Sequence, residues 1–519
     1  MRIAYLGHAG FDVETSSALL LMDPWLSPGG AFDGAWFQYP CNHDLADGVR
    51  ARLRGFAGRK LIYLSHEHQD HLDRDFLGSL AATHAELIVP RYQNDRMLRK
   101  LAGLQFAAIH VLESGQRLDF GDGACTVYVD DTELNRDSAI FVETAGASFF
   151  NMNDCKLFDA LATVLEAHGS PDLFTCQYSG AIWHPICYDY EPERYAAISK
   201  KKYLAKFEAV ARAIETLRPK MYVPSAGPPC FLDPELQHLN SEPVSIFPDA
   251  QRILEYLEKR LQKNPVPAAY LAPGDTIEIT GHQVRLISQT PPIAAQERPG
   301  YLRAYAQRIG PILPHERHAD AQDVLYRLQA ELQAKLDLFT FASRIDVPLF
   351  VQLAELPGRA LKVDFASGKV DEVSEIPNEG YYALTAPAWE IRRVLDRALT
   401  WDEFGLTFRV RLRRNPDVYQ QFLYAFLILE IETVELYCAR MTALENNRER
   451  IVVRAGGKEY SILRYCPHMG ADLTSAYLDE AGLLTCPRHR WKYDLANGGE
   501  CLTSAASVCA EELSATAAS

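Results

Sequence analysis

The chain has no apolar run long enough to span a bilayer. The best candidate, FLYAFLIL at 422–429, is bracketed by Gln420, Gln421, Glu430 and Glu432 and reads as a buried amphipathic helix. Internal repeats and low-complexity segments are also missing, which excludes solenoids and disordered tracts. The opening MRIAYLGHAGFDV shows neither a charged leader nor a long apolar segment. With eleven Cys and no signal peptide, the expectation is reduced thiols in a cytoplasmic compartment. Positive charge is in deficit: 53 Lys and Arg against 68 Asp and Glu give a net charge of -15, so neither nucleic acid nor an anionic membrane is an expected partner. No G-x-G-x-x-G follows a predicted strand, so any nicotinamide or flavin chemistry has to come from another protein. What remains is an ordinary globular composition, 48% hydrophobic and 23% charged, over 519 residues. That length suits about three domains.

The stretch CPHMGADLTSAYLDEAGLLTCPRHRWKYD, 466–494, holds two Cys-His pairs, Cys466 with His468 and Cys486 with His489. Each short loop offers one thiolate and one imidazole, which suits a [2Fe-2S] cluster bound by two Cys on one iron and two His on the other. A Cys2His2 zinc site is the competing reading. Zinc fingers pair like with like along the chain, whereas here each loop mixes the types. The segment 448–507 resembles the Rieske family. Respiratory Rieske proteins carry an extra Cys that braces the loops, and Ala471 stands at that place, so the resemblance is to the ferredoxin and oxygenase types. Cys501 and Cys509 read as plain thiols.

A second metal signal lies near the other end. KLIYLSHEHQDHLD is an apolar strand followed at once by His66, His68, Asp70 and His71. Strand alternation turns His66 and His68 to one side, leaving Asp70 and His71 for a second ion. The pattern resembles the metallo-β-lactamase fold superfamily, an αββα sandwich whose first hairpins match GHAGF and LLMDPWL. The resemblance implies three further ligands. Asp154 stands where a bridging Asp is expected. No His occupies the third-motif position, where Glu133 is the nearest carboxylate and Asp130 and Asp131 are rivals. A Glu there favours iron over zinc. For the last ligand the choice is His238, with Asp233 behind it. His184 is read as a pocket-lining catalytic residue alongside Asp70, Glu133 and Asp154, and His8 as supporting rather than ligating. His110 and His168 read as ordinary strand and helix histidines.

A one-electron carrier has a purpose next to a redox metal, which makes two iron ions the economical occupants and zinc the alternative. The segments NRDSAIFVETAGASFFNMNDC, QYSGAIWHPICY and KKYLAKFEAVARAIETLRPKMYVPSAG resemble the CMP-N-acetylneuraminate hydroxylases, which also join a Rieske domain to this fold but carry the Rieske domain first. Di-iron β-hydroxylases of antibiotic assembly lines are similar in using the fold with a Glu among the ligands. The expected architecture is α+β and multidomain. It comprises a metallo-β-lactamase-like di-iron domain (1–285), a middle α+β domain (286–445) and an all-β Rieske domain (446–519). The middle domain faintly resembles sterol-carrier-like modules; it shows no catalytic constellation and reads as a packing or dimerisation domain.

The resulting expectation is a monooxygenase that hydroxylates or N-oxygenates a small molecule, with dioxygen as co-substrate. Its electrons would come from an external NAD(P)H-dependent reductase or a ferredoxin- or cytochrome-type donor, and a homodimer is left open. A dizinc hydrolase with a redox-sensing Rieske domain, or a redox scaffold, are the other readings.

Overall fold

Strand Ala18–Met22 is apolar at every position and buried along its whole length. It lies between two layers. Ala18, Leu20 and Met22 face the core between two sheets, while Leu19 and Leu21 face outer helices, as the two-residue alternation of a strand demands. Leu61 and Tyr63 divide from Ile62 and Leu64 in the same way. The structure is a computed structural model that describes residues 1–132, 134, 136–180, 182–310 and 317–513.

Two sheets form the first module. The larger has eight strands in the order Gln283–Ser288, Thr276–Thr280, Arg2–Gly7, Gly10–Glu14, Ala18–Met22, Arg59–Tyr63, Glu86–Pro90 and Ala108–Leu112. The smaller has six, in the order Met221–Ser225, Leu173–Gln177, Ala147–Asn151, Arg136–Thr144, Gly123–Asp131 and Arg117–Asp119. Ile3, Phe11 and Leu20 of the first sheet meet Val127, Ile140 and Phe149 of the second between them. Helices Leu161–His168, Pro192–Leu217 and Ala250–Arg260 cover the outer face of the smaller sheet. This is the αββα sandwich expected from the sequence.

The topology gathers particular strand ends. Arg2–Gly7 and Ala18–Met22 are each antiparallel to Gly10–Glu14, and Ala18–Met22 is parallel to Arg59–Tyr63. All three therefore run the same way and release His8, Asp23 and His66 at one edge. That is where open α/β sheets usually carry their ligands.

The middle module has a five-stranded sheet ordered Lys369–Val373, Ala360–Asp364, Leu349–Leu353, Tyr381–Ala386, Arg411–Asn415. Helix Ala321–Leu338 buries Val324, Leu328 and Leu332, a helical stripe that packs with it. Helix Gln421–Ile428 is short and buried, as its sequence suggests. One apolar cluster runs from Trp25, Trp36 and Trp183 of the sandwich to Trp389, Phe404 and Phe408 of the middle module, so the two share a core. A buried charge cluster crosses the same seam. Arg409 takes Asp233 at 2.6 Å and Glu390 at 3.0 Å, and Arg317 also pairs with Asp233. Asp233, weighed above as a metal ligand, is committed instead to these two guanidinium groups.

The last module carries a three-stranded sheet (Arg450–Ala455, Lys458–Leu463, Glu511–Leu513) and a four-stranded one (Tyr477–Leu478, Leu483–Thr485, Lys492–Asp494, Glu500–Cys501). Among the described residues no cysteine is in a disulfide, and no helix is long and apolar enough to cross a membrane.

Candidate metal centres

The two Cys-His loops close on themselves. Cys466 N–H donates to Ala471 O and Gly470 N–H to Cys466 O; Cys486 N–H donates to Trp491 O and Arg490 N–H to Cys486 O. Gly470 sits at φ +74°, a conformation that a Cβ penalises. These turns bring the His468 and His489 rings to 4.8 Å between centroids, with Trp491 stacked on His468 at 4.1 Å. The Nδ1 atoms of both histidines are buried and lack hydrogen-bond partners among the described residues. Burial pulls His468 down to about 3, so its imidazole is neutral and ready to ligate. Two buried thiols beside two orphaned imidazole nitrogens fit a [2Fe-2S] cluster with mixed ligands. The Tyr493 hydroxyl lies 3.1 Å from Cys466 Sγ.

The second set converges at the sandwich edge. His8 Nε2 is 3.1 Å from Asp70 Oδ2, and His71 Nε2 is 3.8 Å from the same oxygen and 3.7 Å from Asp154 Oδ1. His8 Nε2, Asp70 Oδ1, His71 Nε2 and Asp154 Oδ1 are all buried without a hydrogen-bond partner among the described residues. Such atoms are costly to leave bare, and ligand atoms of His8, Asp70 and His71 all lie within 4.8 Å of one another, a spacing that a cation would satisfy. The back of His71 is held by Asp23, Nδ1 to Oδ2 2.9 Å, and Asp23 also accepts from the Ser65 backbone and hydroxyl. A carboxylate behind an imidazole sets which ring nitrogen faces the metal.

His66 and His68 form the other half. His66 Nε2 lies 2.9 Å from His68 Nδ1, while His66 Nδ1 is 3.3 Å from Asp137 Oδ1 and 3.0 Å from Ser65 Oγ. Burial, with His71 and His68 nearby, pulls His66 down to about 3. The two facing nitrogens lie at hydrogen-bond distance, each ring being bonded on its far side as well, and an ion between them would take the place of that shared proton. His66, His68, Asp70, His71 and Asp154 are thus brought together, with His8 added.

Other predicted residues stand elsewhere. His238 is exposed, on the turn Gln237–Ser241, with Nδ1 3.1 Å from Glu235 O, and takes no part in the cluster. The imidazole that the structure places beside Asp70 and His71 is that of His8. Glu133 lies outside the described residues. Asp130 and Asp131 are engaged otherwise: Asp130 with Arg488, and Asp131 Oδ2 with the Gln93 backbone N–H. His184 bonds the Tyr190 hydroxyl at 2.9 Å and packs against Tyr188, in a group with Arg414 and Asp417. Lys200 and Lys201 are exposed as a solvated face predicts, but Lys202 and Lys206 of the same helix turn inward. Burial pulls both down to about 8, with Lys156 adding to it.

Asp23, Asp137 and Asp402 were missed. Asp23 had a signal, since LLMDP sets it directly after an apolar strand; the other two become neighbours of the histidines only through the fold.

Residues 431–513 match the model of the Rieske [2Fe-2S] domain. A protein of Mycolicibacterium smegmatis named for a Rieske 2Fe-2S iron-sulfur centre is 30% identical over 530 residues, covering 97% of this chain and 98% of its own length. The human inactive cytidine monophosphate-N-acetylneuraminic acid hydroxylase is 24% identical, over 82% of this chain and 84% of that protein. Among solved structures, CmlA, a diiron β-hydroxylase from Streptomyces venezuelae, is 16% identical with a TM-score of 0.35, over 55% of this chain and 54% of that one. The similarity to the mycolicibacterial protein runs along nearly the whole of both chains, and on that ground this chain belongs to the family of Rieske 2Fe-2S iron-sulfur proteins.

Proposed function

We propose that the chain is a Rieske-coupled non-haem di-iron monooxygenase acting on a small molecule, and that electrons move between its two centres inside a single chain. When bound, the [2Fe-2S] cluster would supply single electrons and the two irons would supply dioxygen activation. His66 and His68 would hold one iron, His8, Asp70 and His71 the other, with Asp154 beside both. Hydroxylase relatives and the pairing of a Rieske domain with a second metal-ligand set support this reading over a dizinc hydrolase.

The observation that carries the intrachain route is Arg488, which lies between Cys486 and His489. Its Nη1 meets Asp130 Oδ1 at 2.6 Å and its Nε meets Asp159 Oδ1 at 2.7 Å, while the Asp472 N–H donates to Asp159 Oδ2 at 3.1 Å. Asp130 stands directly opposite Asp137 in the strand pair Gly123–Asp131 with Arg136–Thr144, and Asp137 contacts His66. Residues paired this way have side chains about 5 Å apart on one face. The path from His489 to His66 thus runs through neighbouring groups of one chain, with no partner subunit needed.

Lys202 and Lys206, turned inward near Lys156, favour an anionic substrate. The hydroxylase likeness is compatible with a sugar nucleotide, and a carboxylate would suit the same lysines. A separate NAD(P)H-dependent reductase or ferredoxin-type protein would reduce the cluster.

Metal and acid-labile sulfide analysis of anaerobically purified protein, with EPR after dithionite, tests the reading. About four irons and two sulfides per chain, with dioxygen uptake, are expected. Two irons, two sulfides and two zincs after expression in iron-rich medium would sink it. Mixing His71→Ala with Cys486→Ser protein checks the route: restored reoxidation of the cluster would mean that electrons cross between chains.

A further inference from the structure

Helix Trp401–Leu406 of the middle module reaches the mouth of the metal site. Its Asp402 Oδ2 accepts a hydrogen bond from His68 Nε2 at 3.0 Å, across 334 residues of chain. So short a helix cannot hold itself in place. Several contacts do so. Thr400 and Glu403 form a capping box. Glu403 takes Lys100 at 2.6 Å, and Lys100 also donates to the carbonyl of Glu67, the residue between the two histidines, at 3.0 Å. The Trp183 indole donates to Asp402 O at 3.3 Å. Gly405 lets that indole lie directly on the helix: a Cβ there would fall 1.4 Å from a ring atom. His68 and Asp402 keep 29% and 30% of their side-chain surface open, so the pair borders accessible space.

An imidazole that ligates a metal keeps one N–H. With that N–H on Nε2 and given to Asp402, Nδ1 of His68 is the lone-pair nitrogen, and it is the atom that faces His66 Nε2. We infer that Asp402 is a positioning residue for metal binding: by holding the Nε2–H of His68 it turns Nδ1 towards the ion that His66 also faces, so the middle module completes the metal site. The inference rests on the metal-site reading above and not on which metal is held. It replaces the expectation that the middle domain only packs.

The test uses full-length protein freed of exchangeable metal by a chelator that leaves the Rieske cluster intact. Zinc(II) and, anaerobically, iron(II) are titrated separately against a chromophoric competitor, with the cluster's EPR signal as the control for folding. Asp402→Ala is expected to bind one of two equivalents roughly 10–100-fold more weakly with either metal. Asp402→Asn, whose amide oxygen still accepts, recovers most of that loss. Gly405→Ala, which displaces the helix from Trp183, reproduces it. Wild-type affinity in Asp402→Ala, or an Asn variant as weak as Ala, would overturn the inference. Should Asp402→Ala fail to fold, the Asn and Gly405 variants still decide. If every variant refuses iron while zinc affinities follow the expected order, the oxygenase reading fails and the role of Asp402 stands.

Discussion

Arg488 and Asp130 form a buried ion pair 2.6 Å apart, with side chains 12% and 1% exposed, that ties a cluster-binding loop to the strand beside the second metal site. Asp159 takes the other edge of the same guanidinium group at 2.7 Å. The loop carrying Cys486 and His489 is thereby tied to the sandwich by two carboxylates.

Arg488→Met leaves two carboxylates buried without their cation. The expected cost is about 3–5 kcal/mol of docking and stability. The Rieske EPR signal should persist while stopped-flow reoxidation of the reduced cluster by dioxygen slows at least tenfold. Reoxidation at the wild-type rate would show that the clamp does not serve the route.

With Cys466 ligating as a thiolate, the Tyr493 hydroxyl 3.1 Å away would be the donor, and a hydrogen bond to a ligating sulfur favours the more negative reduced cluster. Tyr493→Phe should lower the midpoint potential by roughly tens of millivolts in voltammetry. A potential that stays or rises contradicts this.

His8→Ala should remove one metal equivalent, because His8 Nε2 is an orphaned atom of the cluster. His238→Ala should retain both, since that side chain is exposed on its own turn. Metal analysis of the two proteins side by side settles the assignment, and the opposite pattern would restore His238.

Lys335 is fully buried, donating to Leu427 O at 3.2 Å under the ring of Trp401. Burial pulls it from 10.5 to about 7, against the opposing pull of Glu430 and Glu331. Between those pH values the unfolded chain holds a proton that the folded chain does not, so this residue makes stability rise with pH from 7 to 10.5. Its penalty is fully present below pH 7. Lys335→Met should therefore raise the urea midpoint most at pH 6.5 and least near pH 10, and a gain that grows with pH would refute the account.

Local spacing made much of this legible. Cys466, His468, Cys486 and His489 lie in two tight turns, and His66 to His71 span six residues at a strand end, so the chain itself delivers these groups wherever the strand is set. The apolar run in KLIYL likewise suits a strand buried on both faces. Asp154, expected from the resemblance, follows a strand of the second sheet and comes to lie 3.7 Å from His71.

The sequence by itself thus determined the fold class, the Rieske segment near the C-terminus and which candidate ligands are near neighbours in the chain, because short-range geometry and hydrophobic period are local properties. Only the tertiary structure decided that His8 rather than His238 joins Asp70, that Asp137 backs His66, and that Asp402 reaches His68 from the middle module. Those partners are set by parallel strand direction and by a core shared between modules. Both depend on contacts between residues far apart in the chain, which no local pattern records.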